Sequence, residues 1–221
     1  PIRVMGATLR RDTAVMMAAA LVLVPVFAMG QLGGFAGLIL VAGLVAYLVW
    51  AYRQPGEVVA DEVGAPAPAS TLVSTLWVIG GLVALMVGAR FLVDGAVNIA
   101  RGYGISEAFI GLTIVAVGTS LPELATAIVA AIRRHSDVVL GNVIGSNIFN
   151  ILAILGLTVA IQPIDVSARF RAIDTPIMLG ASFLLLALLF MTKAVGRLWG
   201  GLMLVAYAVY MVFLFTSGVG A

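Results

Sequence analysis

The chain has 221 residues, 62% of them hydrophobic and 10% charged, with a formal net charge of +2 and a mean hydropathy of +1.18. A soluble domain is closer to ~45–50% apolar and ~25% charged, so the composition describes a polytopic membrane protein. The small positive charge gives no basis for nucleic-acid binding, and the absence of cysteine excludes disulfides and thiolate metal sites.

A membrane helix needs ~20 apolar residues. Seven segments meet or approach that length: 13–29, 33–52, 72–98, 105–132, 138–160, 173–192 and 197–217. Between the second and third, Arg53-Gln54-Pro55-Gly56-Glu57 through Pro66-Ala67-Pro68-Ala69-Ser70 has the prolines, acids and small residues of a linker. The chain therefore divides into 1–52, with two helices, a linker over 53–71, and 72–221, with five helices. Seven crossings put Arg3, Arg10, Arg11, Arg53, Arg133, Arg134, Lys193 and Arg197 on one side and Arg101, Arg169 and Arg171 on the other. The positive-inside rule then places the linker in the cytoplasm and the C-terminus outside, in the inner (plasma) membrane. Arg90 lies within the third helix, in reach of Asp94 at i+4. Trp50, Trp77 and Trp199 lie near helix ends and read as interfacial anchors. Gly80-Gly81 and Gly200-Gly201 read as helix-packing positions. The sole histidine, His135, reads as a solvated loop residue.

An internal repeat runs through these segments. Pro1-Ile2-x-Val4 … Asp12-Thr13 … Met16 matches Pro163-Ile164-x-Val166 … Asp174-Thr175 … Met178 at a constant offset of 162. Gly37-Leu38-x-Leu40-Val41-Ala42 … Val45 matches Gly201-Leu202-x-Leu204-Val205-Ala206 … Val209 at 164. Helices one and two thus correspond to helices six and seven. Five crossings separate each pair, and an odd number reverses direction through the bilayer. That is the inverted-topology repeat of many secondary transporters. The second copy has three helices ahead of its Pro-Ile-x-Val block, so a complete protein is expected to carry roughly three more helices upstream of Pro1.

The polar residues concentrate in two helices. Helix four is apolar from Phe109 to Ile132 except around Gly118-Thr119-Ser120-Leu121-Pro122-Glu123. An acid at membrane depth costs roughly 2.5–3.5 kcal/mol on insertion scales, and packing alone has no need of one. Pro122 lacks an N–H and crowds the carbonyl of Gly118, so the helix should break here and expose carbonyl oxygens near Ala116 and Gly118. Thr119 and Ser120 stand four and three residues before Glu123, spacings that share one helical face. In helix five, Asn142, Ser146 and Asn150 form a stripe at i, i+4 and i+8, with Asn147 beside it. One carboxylate with amides, hydroxyls and carbonyls is a hard-oxygen set suited to Na⁺ or Ca²⁺. Ser, Thr and Asn also serve as packing residues between membrane helices, so the acid carries the functional reading. A tight Ca²⁺ site normally takes more than one carboxylate, and the second is expected from the missing part or from another chain.

Gly118-Thr119-Ser120-Leu121-Pro122-Glu123 followed by Gly141-Asn142-Val143-Ile144-Gly145-Ser146-Asn147-Ile148-Phe149-Asn150 resembles the second α-repeat of the Ca²⁺/cation antiporter superfamily, and most closely the prokaryotic sodium/calcium exchangers. The resemblance implies an all-α integral membrane protein whose seven helices are part of a ten-helix inverted-repeat fold, with helices four and five interrupted at the ion site. It implies Glu123 as the main carboxylate ligand, with Thr119, Ser120, the carbonyl of Ala116, Ser146 and Asn150. Some family members carry Asp where Asn150 stands, and the first α-repeat with its own glutamate is absent from this sequence. The expected partners are the bilayer, the transported Ca²⁺, Na⁺ or H⁺, and the missing repeat on the same or a separate chain; no cofactor is implied. The competing reading is a non-transporting fragment or assembly module that needs a separate first half. An inverted dimer supplying a second Glu123 is opposed by the charge bias, which the two copies would share. An enzyme has no support, since there is no HExxH and no serine–histidine arrangement at membrane depth.

Overall fold

A computed structural model describes residues 2–3, 7–54, 70–192 and 194–219. The central linker, 55–69, lies outside the described residues, as do Pro1, Val4 and Lys193, on which the repeat match and the charge count partly rest. Chain order is β1 (Ile2–Arg3), α1 (Ala7–Ala28), β2 (Gln31–Leu32), α2 (Gly34–Arg53) and α3 (Thr71–Gly102). Helix four comes next as α4 (Glu107–Ile110), a π-helical turn π1 (Gly111–Val115), α5 (Ala116–Thr119) and α6 (Leu121–Ile132). Helix five is α7 (Ser136–Phe149), π2 (Asn150–Leu155) and α8 (Gly156–Ile161). The rest is β3 (Ile164–Asp165), π3 (Phe170–Asp174), α9 (Thr175–Met191), β4 (Ala194–Val195), α10 (Arg197–Leu214) and π4 (Phe215–Val219).

Among the described residues six helices are long and apolar enough to cross a bilayer, and the bent pair 111–119 with 121–132 makes up to seven. The helical expectation therefore holds, with two antiparallel two-residue strand pairs added that the hydropathy pattern did not signal. Helix three outruns its expected bounds. Ser70 caps its start by accepting the Val73 N–H at 3.4 Å, and it ends where Gly104 adopts a φ of 74°, a conformation glycine takes without steric cost.

The described residues fall into two compact units, one drawn from Pro1–Val58 and Ala130–Val195, the other from Val59–Val129 and Gly196–Ala221. The first is built on α1, which packs against α7 and α9, and on α2, which packs against α8. Its core joins Met16, Leu23, Leu40, Ile144, Ile148, Val159 and Leu189. Gly37 lets α2 close onto α8: a Cβ there would strike the backbone of Gly156 and Ala160. β1 pairs with β4 and β2 with β3. Because β1 precedes α1 and β4 comes after α9, while β2 comes after α1 and β3 precedes α9, the two helices run antiparallel between two strand clasps.

The second unit is thinner. Its buried cluster is Val97, Ala100 and Ile110, backed by Val93, Ile105, Ile114 and Val115. Phe109 meets Phe215 edge-on, with ring centroids 5.4 Å apart. The glycines at 80, 81, 200 and 201, expected at packing positions, have nothing within 4 Å of a would-be Cβ. They lie on exposed stretches of α3 and α10, so no close helix crossing uses them among the described residues.

Candidate functional site

Helix four breaks where Pro122 predicts it. The two arms, 111–119 and 121–132, meet at 48°. Ser120 sits between them with φ −92° and ψ 3°. Its N–H closes on the Val117 carbonyl at 3.1 Å, and its own carbonyl accepts the Leu124 N–H at 2.9 Å. Pro122 thus falls in the first turn of α6, where a missing N–H costs no intrahelical bond. The break corrects the simple face argument: Thr119 ends α5, Glu123 opens α6, and the two are not successive positions of one straight helix. The bend lies between them. Ala116, Thr119, Ser120 and Glu123 flank it within one unit.

These groups already interact locally. The Thr119 hydroxyl donates to the Ala116 carbonyl at 3.1 Å. A carbonyl has two lone pairs and a hydroxyl oxygen retains its own, so both oxygens keep acceptor capacity. Glu123 is half-buried, with Oε2 shut away from solvent. Thr119 and Ser120 are exposed. Gly118 is buried against α3, and a Cβ on it would run into the Val93 side chain, with Val93 Cβ itself at 3.3 Å. That close approach fixes the carbonyl-rich end of α5 against α3. Beside it lies a cavity of about 470 Å³ with an apolar lining that includes Val93, Phe109, Val117, Gly118, Leu121 and Met211.

Helix five lies in the other unit. It runs as one span over 136–161, and its interruption is the π turn that begins at Asn150. π turns inside α-helices recur at functional positions. Ile144, Ile148 and Ile151 are buried in the core, while Ser146 is half-buried and Asn150 and Phe149 are exposed. The Ser146 hydroxyl and the Asn147 amide both donate to the Val143 carbonyl, at 3.1 and 2.8 Å. Among the described residues no cluster of three or more His, Cys, Asp or Glu could hold a metal ion. Cation binding by these residues would therefore rest on neutral oxygens around one acid.

Several features escaped sequence reasoning. Arg101 grips Glu107 through two bonds, Nε to Oε1 at 2.6 Å and Nη2 to Oε2 at 2.8 Å, across the turn into helix four. Spacing of six over a turn gives no helical signal for such a pair. Arg90 and Asp94, expected to pair, stand 3.8 Å apart and exposed. Asp174 is buried, with its carboxylate 3.8 Å from Arg169. The repeat match had marked Asp174 without assigning it a partner. The Arg11 guanidinium lies over the Trp50 ring at 5.0 Å and bonds Asp12 at 2.9 Å. His135 is exposed ahead of α7.

An acid within a spanning segment and a π turn in the next spanning helix are both features that recur at functional positions of membrane proteins. The family profile described as "Sodium/calcium exchanger protein" matches residues 73–216. CaxA of Alkalimonas amylolytica is 36% identical over 230 residues, covering 98% of this chain and 71% of that protein. The sodium/calcium exchanger MaX1 of Methanosarcina acetivorans is 40% identical over 132 residues, or 60% of this chain and 38% of that one. Solved structures of the sodium-calcium exchanger NCX_Mj superpose with a TM-score of 0.75 at 30% identity, over 95% of this chain and 67% of theirs. The chain belongs to the sodium/calcium exchanger family, and it spans about two thirds of the length of the exchanger whose structure it matches.

Proposed function

We propose that this chain forms the second-repeat part of a secondary transporter that moves calcium, or a related cation, in exchange for Na⁺ or H⁺ by alternating access. The observation that supports this reading is the 48° break between 111–119 and 121–132, with the Ala116 carbonyl and the Thr119 hydroxyl on one arm and Glu123 in the first turn of the other. Membership of the exchanger family and the names of MaX1 and NCX_Mj supply the ion class. The proposed ligands are Glu123, Thr119, Ser120, the Ala116 carbonyl, Ser146 and Asn150. Glu123 attracts the cation and the neutral oxygens replace its hydration shell. One carboxylate leaves a divalent ion with a positive charge to be met elsewhere. A second acid from the first repeat is the proposed source.

Residues 1–52 would complete the first repeat, 53–71 form a cytoplasmic linker, and 72–221 make up the second repeat, in the inner membrane with the C-terminus outside. Strand register supports the duplication. Ile164 and Asp165 stand 162 residues after Ile2 and Arg3, and Ala194 and Val195 stand 163 after Gln31 and Leu32. Under that correspondence the pairs Ile2–Val195 and Arg3–Ala194 map onto Ile164–Leu32 and Asp165–Gln31, which are the pairs observed.

The test is ⁴⁵Ca²⁺ flux in vesicles under imposed Na⁺ or pH gradients, with the chain completed upstream or coexpressed with a first half. Glu123→Gln should abolish exchange while leaving membrane insertion intact. Wild-type flux in that variant would sink the site assignment. Absence of flux in every completed form would instead favour the non-transporting module.

A further inference from the structure

Helices α2 and α10 carry one contact sequence, and among the described residues only α2 uses it. Between 37–45 and 201–209, six of nine positions are identical at an offset of 164. In α2 the contact is made by Gly37, Leu40 and Val41. Gly37 closes on the backbone of Gly156 and Ala160, and a Cβ on Gly156 would stand 3.0 Å from Leu40 Cβ and 3.1 Å from Val41 Cγ2. Leu40 is 2% exposed as a result. In α10 the same residue types stand at the same spacing as Gly201, Leu204 and Val205. There Leu204 is 71% and Val205 61% exposed, and nothing lies within 4 Å of a Cβ on Gly201. Ala42 and Ala206, one position beyond the contact, are exposed in both helices. Lipid tails cover an apolar face of any sequence, so they give no reason for glycine, leucine and valine to recur at the spacing of a helix contact. A helix that approaches closely does give one.

The repeat says which helix that is. α2 is the last helix of the first copy, and it is seated on the end of helix five of the second. Under inverted symmetry α10, the last helix of the second copy, belongs on the end of helix five of the first. The chain covers 67% of the exchanger whose structure it matches, and that helix falls outside it. We propose that Gly201, Leu204 and Val205 are the seat for the helix that ends just upstream of Pro1. Gly156 stands seven residues before Pro163, the counterpart of Pro1. The residue seven positions ahead of Pro1 is therefore the one that meets Leu204, and the room left around Gly156 requires glycine there. Helix five of this chain carries Ser146 and Asn150 just ahead of the part that α2 holds. By the same geometry α10 sets the position of the equivalent stripe of the first repeat, which makes it a positioning element for that half of the ion site. The inference rests on the second-repeat reading above.

The test uses the complete chain, extended upstream through the first repeat, with any upstream cysteine replaced by serine; the present segment has none. Gly43→Cys with Leu152→Cys is the reference pair, because Leu152 Cδ2 lies 3.8 Å from a Cβ on Gly43. Its counterpart is Tyr207→Cys with a cysteine eleven residues ahead of Pro1, as Leu152 stands eleven ahead of Pro163. A short thiol-to-thiol cross-linker in membranes should capture both pairs to a similar extent, and should capture Ala206→Cys with the same upstream cysteine several-fold less. Gly201→Leu should lower the yield of folded complete chain as much as Gly37→Leu does. A Tyr207 pair that fails to link while the reference pair links leaves the face to lipid and overturns the proposal. A Tyr207 link between two copies makes the face a self-association surface and overturns it as well, as does a large side chain seven residues ahead of Pro1. A reference pair that fails to link removes the contact from which the seat is inferred. Calcium flux in the same membranes reads the exchanger assignment separately: flux without the Tyr207 link sinks only the seat, and the link without flux sinks only the exchanger reading.

Discussion

Gly118→Ala is the smallest change that should disable the helix-four break without touching a proposed ligand. Its added methyl would overlap Val93 Cγ2, and Val93 Cβ lies only 3.3 Å from the same point. Valine is stiff at χ1, and a rotamer change cannot move its Cβ, so α3 and α5 have to separate. Overpacking of this kind costs about 1–3 kcal/mol. Val93→Ala alone should lose about 0.5–1 kcal/mol, since two methyl groups leave a half-buried site at roughly 0.8 kcal/mol per fully buried group. If steric overlap is the cause, Val93→Ala should rescue Gly118→Ala, and the pair should be less destabilised than the sum by about 1 kcal/mol or more. Thermal unfolding in detergent, followed by the monodisperse fraction on size exclusion, reads the stability term. Calcium flux reads displacement of Thr119 and Glu123. Additive losses in the double variant would refute the steric account, as would a Gly118→Ala protein with wild-type stability and flux.

Other expectations come from single contacts. Asp174→Ala should destabilise by about 1–3 kcal/mol, because it removes a buried carboxylate that stands 3.8 Å from the Arg169 guanidinium; an unchanged unfolding midpoint would count against that pair. Thr13→Val should cost no more than about 1 kcal/mol, since the Leu9 carbonyl keeps its helical partner when the hydroxyl is lost. Gly37→Leu should separate α2 from α8 and lower the yield of folded protein far more than Gly200→Leu, whose Cβ position is open; equal yields would contradict the packing. Glu107→Gln should loosen the turn into helix four and raise amide exchange across residues 103–106, with the rest of α3 unaffected.

The legible part of this protein was whatever hydropathy and chain order encode. Runs of apolar residues located the spans because water-free surroundings leave the backbone only internal partners. Pro122 announced its break because a missing N–H is a local fact. The Gly37 contact, the Val93–Gly118 contact and the Arg101–Glu107 clamp were not legible. The two glycine contacts join segments distant in the chain, and in a composition this rich in Gly, Ala and Val no single glycine stands out; the Arg101–Glu107 clamp is local, but a spacing of six across a turn matches no helical period. Gly80-Gly81 and Gly200-Gly201 show the reverse: glycine pairs on apolar helices suggested packing positions, and among the described residues nothing lies within 4 Å of a Cβ on any of them. The π turns were invisible because one extra residue in an apolar helix leaves the hydropathy signal almost unchanged.

The repeat carries a finer lesson. Asp12-Thr13 and Asp174-Thr175 are the same words in both copies, and sequence logic expects the same local structure. Both threonines are buried, yet they bond carbonyls four and five residues back. The flanking residues differ: Phe170-Arg171-Ala172-Ile173 precedes Asp174 and Pro176 follows Thr175, where the first copy has Thr8-Leu9-Arg10-Arg11 and Ala14. Pro176 has no N–H to give the Ala172 carbonyl and its ring crowds that group, so the second copy has a local reason to widen into a π turn that the first copy lacks. The shared Asp-Thr pair marks the ancestry of the two helices, and the proline beside it decides their local geometry.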